Sequence, residues 1–95
     1  DISAYSERGR AYALKGWYAQ AFYDLDTAIR MKPDDGLSYR YRADAYYQAK
    51  EYKMAWADLK NAKLFGQAVS DELMEDYQNK ALGIKSKKSS LVPFF

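Results

Sequence analysis

YSERGRAYALKGWYAQAFYDLDTAIRMKP, residues 5–33, is the stretch that decides the fold, because the chain repeats it. Shifted by 34 residues, it aligns with residues 39–67, YRYRADAYYQAKEYKMAWADLKNAKLFGQ. The identical positions include aromatic, small and charged residues: Tyr5/Tyr39, Arg8/Arg42, Ala11/Ala45, Tyr12/Tyr46, Tyr18/Tyr52, Ala21/Ala55, Asp24/Asp58, Leu25/Leu59 and Ala28/Ala62. An internal period of this length is typical of arrays of helical repeats.

Apolar and small residues recur at three- and four-residue intervals in both copies, which is the spacing of a helix face. We expect four helices, over residues 2–15, 17–31, 36–49 and 51–65. Gly16 is suited to the left-handed position that ends the first helix, and Pro33 ends the second. Asp34 and Asp35 follow in a turn that offers an N-cap carboxylate to the third helix.

A fifth helix is predicted from Ser70, its N-cap, to about Ile84. Its apolar face consists of Leu73, Met74, Tyr77, Ala81 and Ile84. The opposite face is thoroughly polar, which is what the end of a helical array requires where no further repeat covers it.

Composition excludes several classes of function. A chain of 95 residues forms one small domain, and no run approaches the roughly eighteen apolar residues of a membrane span. The net charge of +2, with both signs interspersed, argues against nucleic acid as a partner. Histidine and cysteine are absent, and no glycine-rich phosphate loop occurs, so we expect neither an enzyme nor a metal or cofactor site. The compartment stays open.

The repeat resembles the tetratricopeptide repeat (TPR) family at its signature positions. These are Gly9, Tyr12, Gly16, Tyr18, Ala21, Ala28 and Pro33, with Ala43, Tyr46, Tyr52, Ala55 and Ala62 in the second copy. The resemblance implies an all-α, right-handed α-solenoid of two helix–turn–helix repeats, 2–34 and 35–68. A C-terminal capping helix, 69–85, and a polar linker with an apolar tail, 86–95, would follow.

One departure from the family pattern occurs twice. Arg8 and Arg42 replace a leucine, and each has an aspartate sixteen residues later, Asp24 and Asp58. Because both charges change together in both copies, we expect a bidentate ion pair between the two helices of each repeat. The alternative is an arginine offered to a ligand.

The resemblance also implies a ligand groove lined by the first helix of each pair. The groove residues would be Ser6, Arg10, Ala13, Leu37, Arg40, Tyr41, Asp44, Tyr47 and Gln48. The expected function is a non-catalytic adaptor that binds a peptide or protein segment there. An ordinary polar helix face is the competing interpretation of these residues.

Some members of the family clamp the acidic C-terminal tails of chaperones. The matching positions here are Ser6, Arg10, Tyr41, Asp71 and Glu75, so two of the clamp cations are acids and such tails are not expected as ligands. The alternative function is a structural or self-assembly unit, since two repeats are fewer than the three that usually stand alone.

Residues 91–95, Leu-Val-Pro-Phe-Phe, form an apolar tail after the polar linker. We expect this tail to pack in the groove of a neighbouring chain, which would give a homodimer. Docking on the fifth helix of the same chain is the alternative, and so is a tail that is a remnant of a protease site.

Overall fold

The computed structural model describes residues 1–84, which form five α-helices and contain no strand. The helices in chain order are α1 (Ile2–Leu14), α2 (Tyr18–Met31), α3 (Gly36–Gln48), α4 (Tyr52–Leu64) and α5 (Asp71–Leu82). The predicted all-α class and five helices are confirmed, and every helix end lies within two residues of its expected position. Among these residues, no helix is long and apolar enough to cross a membrane.

Three helices begin at a side chain that accepts a hydrogen bond from the first turn. Asp35 accepts from the backbone N–H of Ser38 at 3.1 Å, and Ser70 accepts from that of Leu73 at 3.1 Å. Asp1 has the same role in α1. Such a cap satisfies a donor that the helix itself cannot, and typically contributes about 1 kcal/mol. The predicted caps of α3 and α5 are confirmed.

The turn inside each helix pair uses one left-handed residue. Gly16 has φ +81° and Lys50, at the equivalent position 34 residues later, has φ +65°. The backbone N–H of the next residue, Trp17 or Glu51, then donates to a carbonyl of the preceding helix at 2.9 and 2.8 Å. The two turns therefore have the same geometry, although only the first has the residue that this geometry favours.

Close backbone approach holds the helices of each pair together. A Cβ atom added at Gly9 would lie 2.7 Å from Leu25 Cγ and 3.1 Å from the carbonyl oxygen of Ala21. Glycine at this position thus lets α1 and α2 pack closely. Gly36 is a second close approach that the sequence did not show: an added Cβ would lie 2.6 Å from the carbonyl oxygen of Phe65.

A bidentate ion pair also joins the two helices of each pair. Nε and Nη2 of Arg8 donate to Asp24 at 2.7 and 2.9 Å, and those of Arg42 donate to Asp58 at 2.8 and 2.9 Å. Both predicted ion pairs are confirmed. Asp24 and Asp58 are buried, so each needs a partner that neutralises its charge and satisfies its oxygens.

The second helix pair packs on the first through α3, which contacts both α1 and α2. Nη1 of Arg42 reaches back to Asp26 of α2 at 2.8 Å. Close by, the rings of Phe22 and Tyr46 stack with centroids 4.4 Å apart. These two contacts, one charged and one aromatic, connect the pairs.

The fifth helix covers α4 with its apolar side. Tyr77 is 5% exposed and belongs to a cluster with Leu59, against which Leu73 and Met74 also pack. Ile84 was expected on the same stripe, but it is 52% exposed, because α5 ends at Leu82 and the chain turns away. The expectations for residues 85–95, including the tail, lie outside the described residues.

Replacing Lys50 by glycine should stabilise the protein. A residue with a side chain costs about 1–2 kcal/mol in the left-handed conformation, and glycine avoids this cost. Glycine also has a higher entropy in the unfolded state, which cancels part of the gain. We expect Lys50→Gly to raise the free energy of unfolding by about 0.5–1 kcal/mol in urea titrations. The control is Lys50→Ala, which removes the ammonium group but keeps Cβ and should give no gain. An equal gain in both variants would show that charge, not backbone conformation, is responsible.

Tyr77→Asp should destabilise all five helices together. The new carboxylate would be buried where the ring now packs against apolar side chains, and Asp44 would lose the hydrogen bond that it accepts from the Tyr77 hydroxyl at 3.0 Å. We expect a loss of more than about 2 kcal/mol and a single, lower melting transition by circular dichroism. Gln78→Asp adds the same charge at an exposed neighbour and should change little. A Tyr77→Asp melting temperature within about 2 °C of the parent would show that α5 is dispensable.

Candidate functional site

The structure brings α1 and α3, which carry all nine predicted groove residues, into contact. Two of the nine side chains are not available to a ligand. Ser6 is buried, and its hydroxyl donates to the carbonyl oxygen of Ser3 at 3.2 Å. Ala13 is part of the apolar core around Leu25. Leu37 is half-buried in the first turn of α3, so a ligand would meet mainly the longer side chains further along this helix.

The remaining predicted residues present aromatic rings beside cations. We call the surface formed by Arg10, Arg40, Tyr41, Tyr47 and Gln48 the tyrosine face. Arg10 and Gln48 are exposed, and the other three side chains are half-buried. The surface therefore offers both half-buried rings and exposed polar groups.

Tyr41 connects α3 to α1. Its hydroxyl donates to Glu7 Oε2 at 3.1 Å, and Arg10 lies over its ring with Cζ 5.2 Å from the centroid. Burial and the hydrogen bond to Glu7 raise the pKa of Tyr41, so the phenol stays neutral and keeps donating. The ring is thereby held in one place between a carboxylate and a guanidinium.

Tyr47 connects α3 to α5. Its hydroxyl donates to Asp76 Oδ2 at 2.7 Å, and its ring stacks on Tyr77 with centroids 4.4 Å apart. The Tyr77 hydroxyl in turn donates to Asp44 Oδ1 at 3.0 Å, an atom that also lies 3.4 Å from Arg40 Nε. Asp44, predicted as a ligand contact, is thus already engaged by two side chains. Together these contacts hold Tyr47 in a fixed orientation across the junction of the two helices.

The carboxylates that hold Tyr41 and Tyr47 were not among the predicted site residues. Glu7 could have been found, because it lies exactly one period of 34 residues before Tyr41, and equivalent positions of successive first helices are neighbours here. Asp76 and Tyr77 had no such signal, because α5 has no second copy in the chain.

The chemistry of this surface is that of recognition by contact. Three carboxylates, Glu7, Asp44 and Asp76, accept hydrogen bonds from the tyrosine hydroxyls. Their three negative charges exceed the two positive charges of Arg10 and Arg40. Ring faces, guanidinium groups and the Gln48 amide are what an incoming chain would meet. Such mixtures are enriched at protein interfaces.

Comparison with known proteins gives no match: no family model fits the sequence, and no curated protein or solved structure is significantly similar to it. The likeness to TPR proteins therefore rests on the residues of this chain alone. The function has to be argued from the tyrosine face itself.

Alkaline pH should weaken the contact between α3 and α5. Burial and the hydrogen bond to Asp76 raise the pKa of Tyr47 from 10.0 to about 12. Between pH 10 and about 12, the Tyr47 hydroxyl has lost its proton in the unfolded chain and kept it in the folded chain. The free energy of unfolding therefore falls as the pH rises through this window. The measurement is the urea midpoint as a function of pH.

The matched variant for this prediction is Tyr47→Phe, which keeps the ring but cannot ionise. It should lose less stability than the parent over the same pH window, although it is less stable than the parent at neutral pH. Equal alkaline losses in the two proteins would contradict the assignment to Tyr47.

Proposed function

We propose that this chain is a non-catalytic protein-interaction module of the TPR kind. In this proposal the helix pairs α1–α2 and α3–α4 are two repeats of a right-handed α-solenoid, with α5 as the capping helix. The 34-residue period, the identical turn geometry at Gly16 and Lys50 and the two equivalent Arg–Asp pairs support it.

The proposed ligand is a peptide or protein segment that lies along the concave side, on the tyrosine face. The observation that carries this proposal is the fixation of two tyrosine rings on α3 by carboxylates of the flanking helices, Glu7 of α1 and Asp76 of α5. Rings that are already ordered lose little conformational entropy when a ligand packs on them. Preorganised aromatic anchors are a common source of binding energy.

The charges of the site indicate which peptides are disfavoured. Glu7, Asp44 and Asp76 lie at the tyrosine hydroxyls, and Asp71 and Glu75 belong to the same helix as Asp76. An acidic segment would meet this excess of carboxylates, so we do not expect chaperone-type acidic tails as ligands. Segments with apolar or aromatic side chains and a positive charge match the surface better.

The proposal is tested by selecting peptides from a random display library on the full chain and measuring their affinities. For selected peptides we expect Gln48→Arg to weaken binding about tenfold, which corresponds to about 1.4 kcal/mol, because the added cation would repel a positively charged segment. Gln48 is exposed, so the variant should fold normally. Ala57→Arg, which adds the same charge at an exposed position of α4, is the matched control and should leave affinity unchanged.

Two results would contradict the proposed site. One is that no peptide is enriched; the other is that Ala57→Arg and Gln48→Arg weaken binding equally. Light scattering at several concentrations addresses the alternative, self-assembly, for which a concentration-dependent dimer without a peptide ligand is the expected sign.

A further inference from the structure

The same set of side chains occurs on one flank of both helix pairs, but only the second set is covered. In the second pair Arg42 donates to Asp26, and the Tyr46 ring stacks on Phe22. The Tyr39 hydroxyl donates to the carbonyl oxygen of Pro33 at 2.9 Å. Ala45, in the middle of this flank, is 0% exposed. All the partners belong to α2 or to the loop that follows it.

The first pair has identical residues at the equivalent positions, of which Arg8 and Ala11 are exposed and Tyr5 and Tyr12 are half-buried. We call the surface formed by Tyr5, Arg8, Ala11 and Tyr12 the N-terminal flank. The Arg8 side chain is 57% exposed, whereas that of Arg42 is 20% exposed. Ala11 is exposed where Ala45 is buried.

The N-terminal flank also contains space. An open pocket of about 350 Å³ is lined by Ala4, Tyr5 and Arg8. Ala4 is exposed there, whereas its equivalent in the second pair, Ser38, is 0% exposed. The N-terminal flank thus has the same residues as the covered flank of the second pair, and it has space for a further helix.

We propose that the N-terminal flank is an interface for another helix pair that resembles α1–α2. Its second helix would carry an aromatic residue and, four positions later, a carboxylate, which is the spacing of Phe22 and Asp26. The carboxylate accepts from Arg8, which has donors beyond those that hold Asp24, and the aromatic ring stacks on Tyr12. This interface is separate from the tyrosine face and does not depend on the proposed function.

A second copy of this chain does not fit as the occupant. Its α4 has Trp56 where α2 has Phe22, but Lys60 where α2 has Asp26. Lys60 would bring a positive charge to Arg8. In addition, Trp56 already packs in the cluster that α5 covers through Leu73 and Met74. The required carboxylate and the free helix face are both missing at that end.

The test extends the full chain with a copy of its own first repeat. Residues 1–34 placed directly before Asp1 keep the 34-residue period, because Asp1 then stands where Asp35 stands before α3. If the flank binds such a pair, backbone amides of residues 8–12 should exchange with deuterium at least tenfold more slowly than in the unextended chain. Unchanged exchange would overturn the proposal.

Two substitutions in the added copy test whether the slower exchange depends on the contact between Asp26 of that copy and Arg8. Asp26→Lys and Ala19→Lys each install the residue that the second repeat has, Lys60 and Lys53. Only the first changes the group that would face Arg8. We expect Asp26→Lys to remove most of the tenfold protection and Ala19→Lys to retain it. Equal effects of the two substitutions would contradict the proposed contact.

Ala11→Glu in the original part of the chain tests the flank from its own side. Because Ala11 is exposed, the variant of the unextended chain should unfold at the same urea concentration as the parent. In the extended chain it should abolish the added protection. A dimer of the unextended chain that Ala11→Glu dissociates would instead show that a second copy occupies the flank, which would overturn the assignment.

Discussion

The packing of the helices depends on the guanidinium group of Arg42. Two of its nitrogens hold Asp58 of α4, while Nη1 holds Asp26 of α2 at 2.8 Å, so one side chain fixes α3 against both neighbouring helices. The rings of Tyr39 and Tyr46 lie 5.7 and 5.9 Å from its Cζ atom. Burial lowers the pKa of Arg42, but the hydrogen bonds to Asp58 and Asp26 outweigh burial and raise it. A lysine, which lacks this planar fork, could not hold both carboxylates in the same way.

The Arg–Asp contact that occurs twice was predictable from the sequence, whereas the Arg–Asp contact that occurs once was not. The pairing of Arg8 with Asp24 was readable because the same two residues recur 34 positions later. The contact between Arg42 and Asp26 had no such signal. The residue equivalent to Asp26 is Lys60, so comparing the two repeats gives no indication that Asp26 pairs with Arg42.

The candidate site shows a second limit, which comes from side-chain size at equivalent positions. Ser6 and Ala13 are small and buried, whereas their equivalents in the second repeat, Arg40 and Tyr47, are large and half-buried. The 34-residue pattern assigns the same role to two equivalent residues, so it does not predict which of them is buried. Their neighbours differ, because Ala13 packs in a cluster with Ala45 of α3 whereas Tyr47 packs on Tyr77 of α5, and periodicity does not show which helix follows.

The Arg–Asp contact between successive helix pairs has a direction, because the arginine lies on a first helix and the aspartate on the preceding second helix. At the C-terminal end the equivalent aspartate is Lys60, and α5 covers the adjoining apolar cluster with Tyr77. At the N-terminal end Arg8 and its flanking tyrosines are unchanged. One end therefore lacks the acceptor that a further arginine needs, while the other retains the donor. In the proposed interface, a further helix pair is therefore added before α1, because among residues 1–84 the C-terminal end has Lys60 at the position where this contact needs a carboxylate.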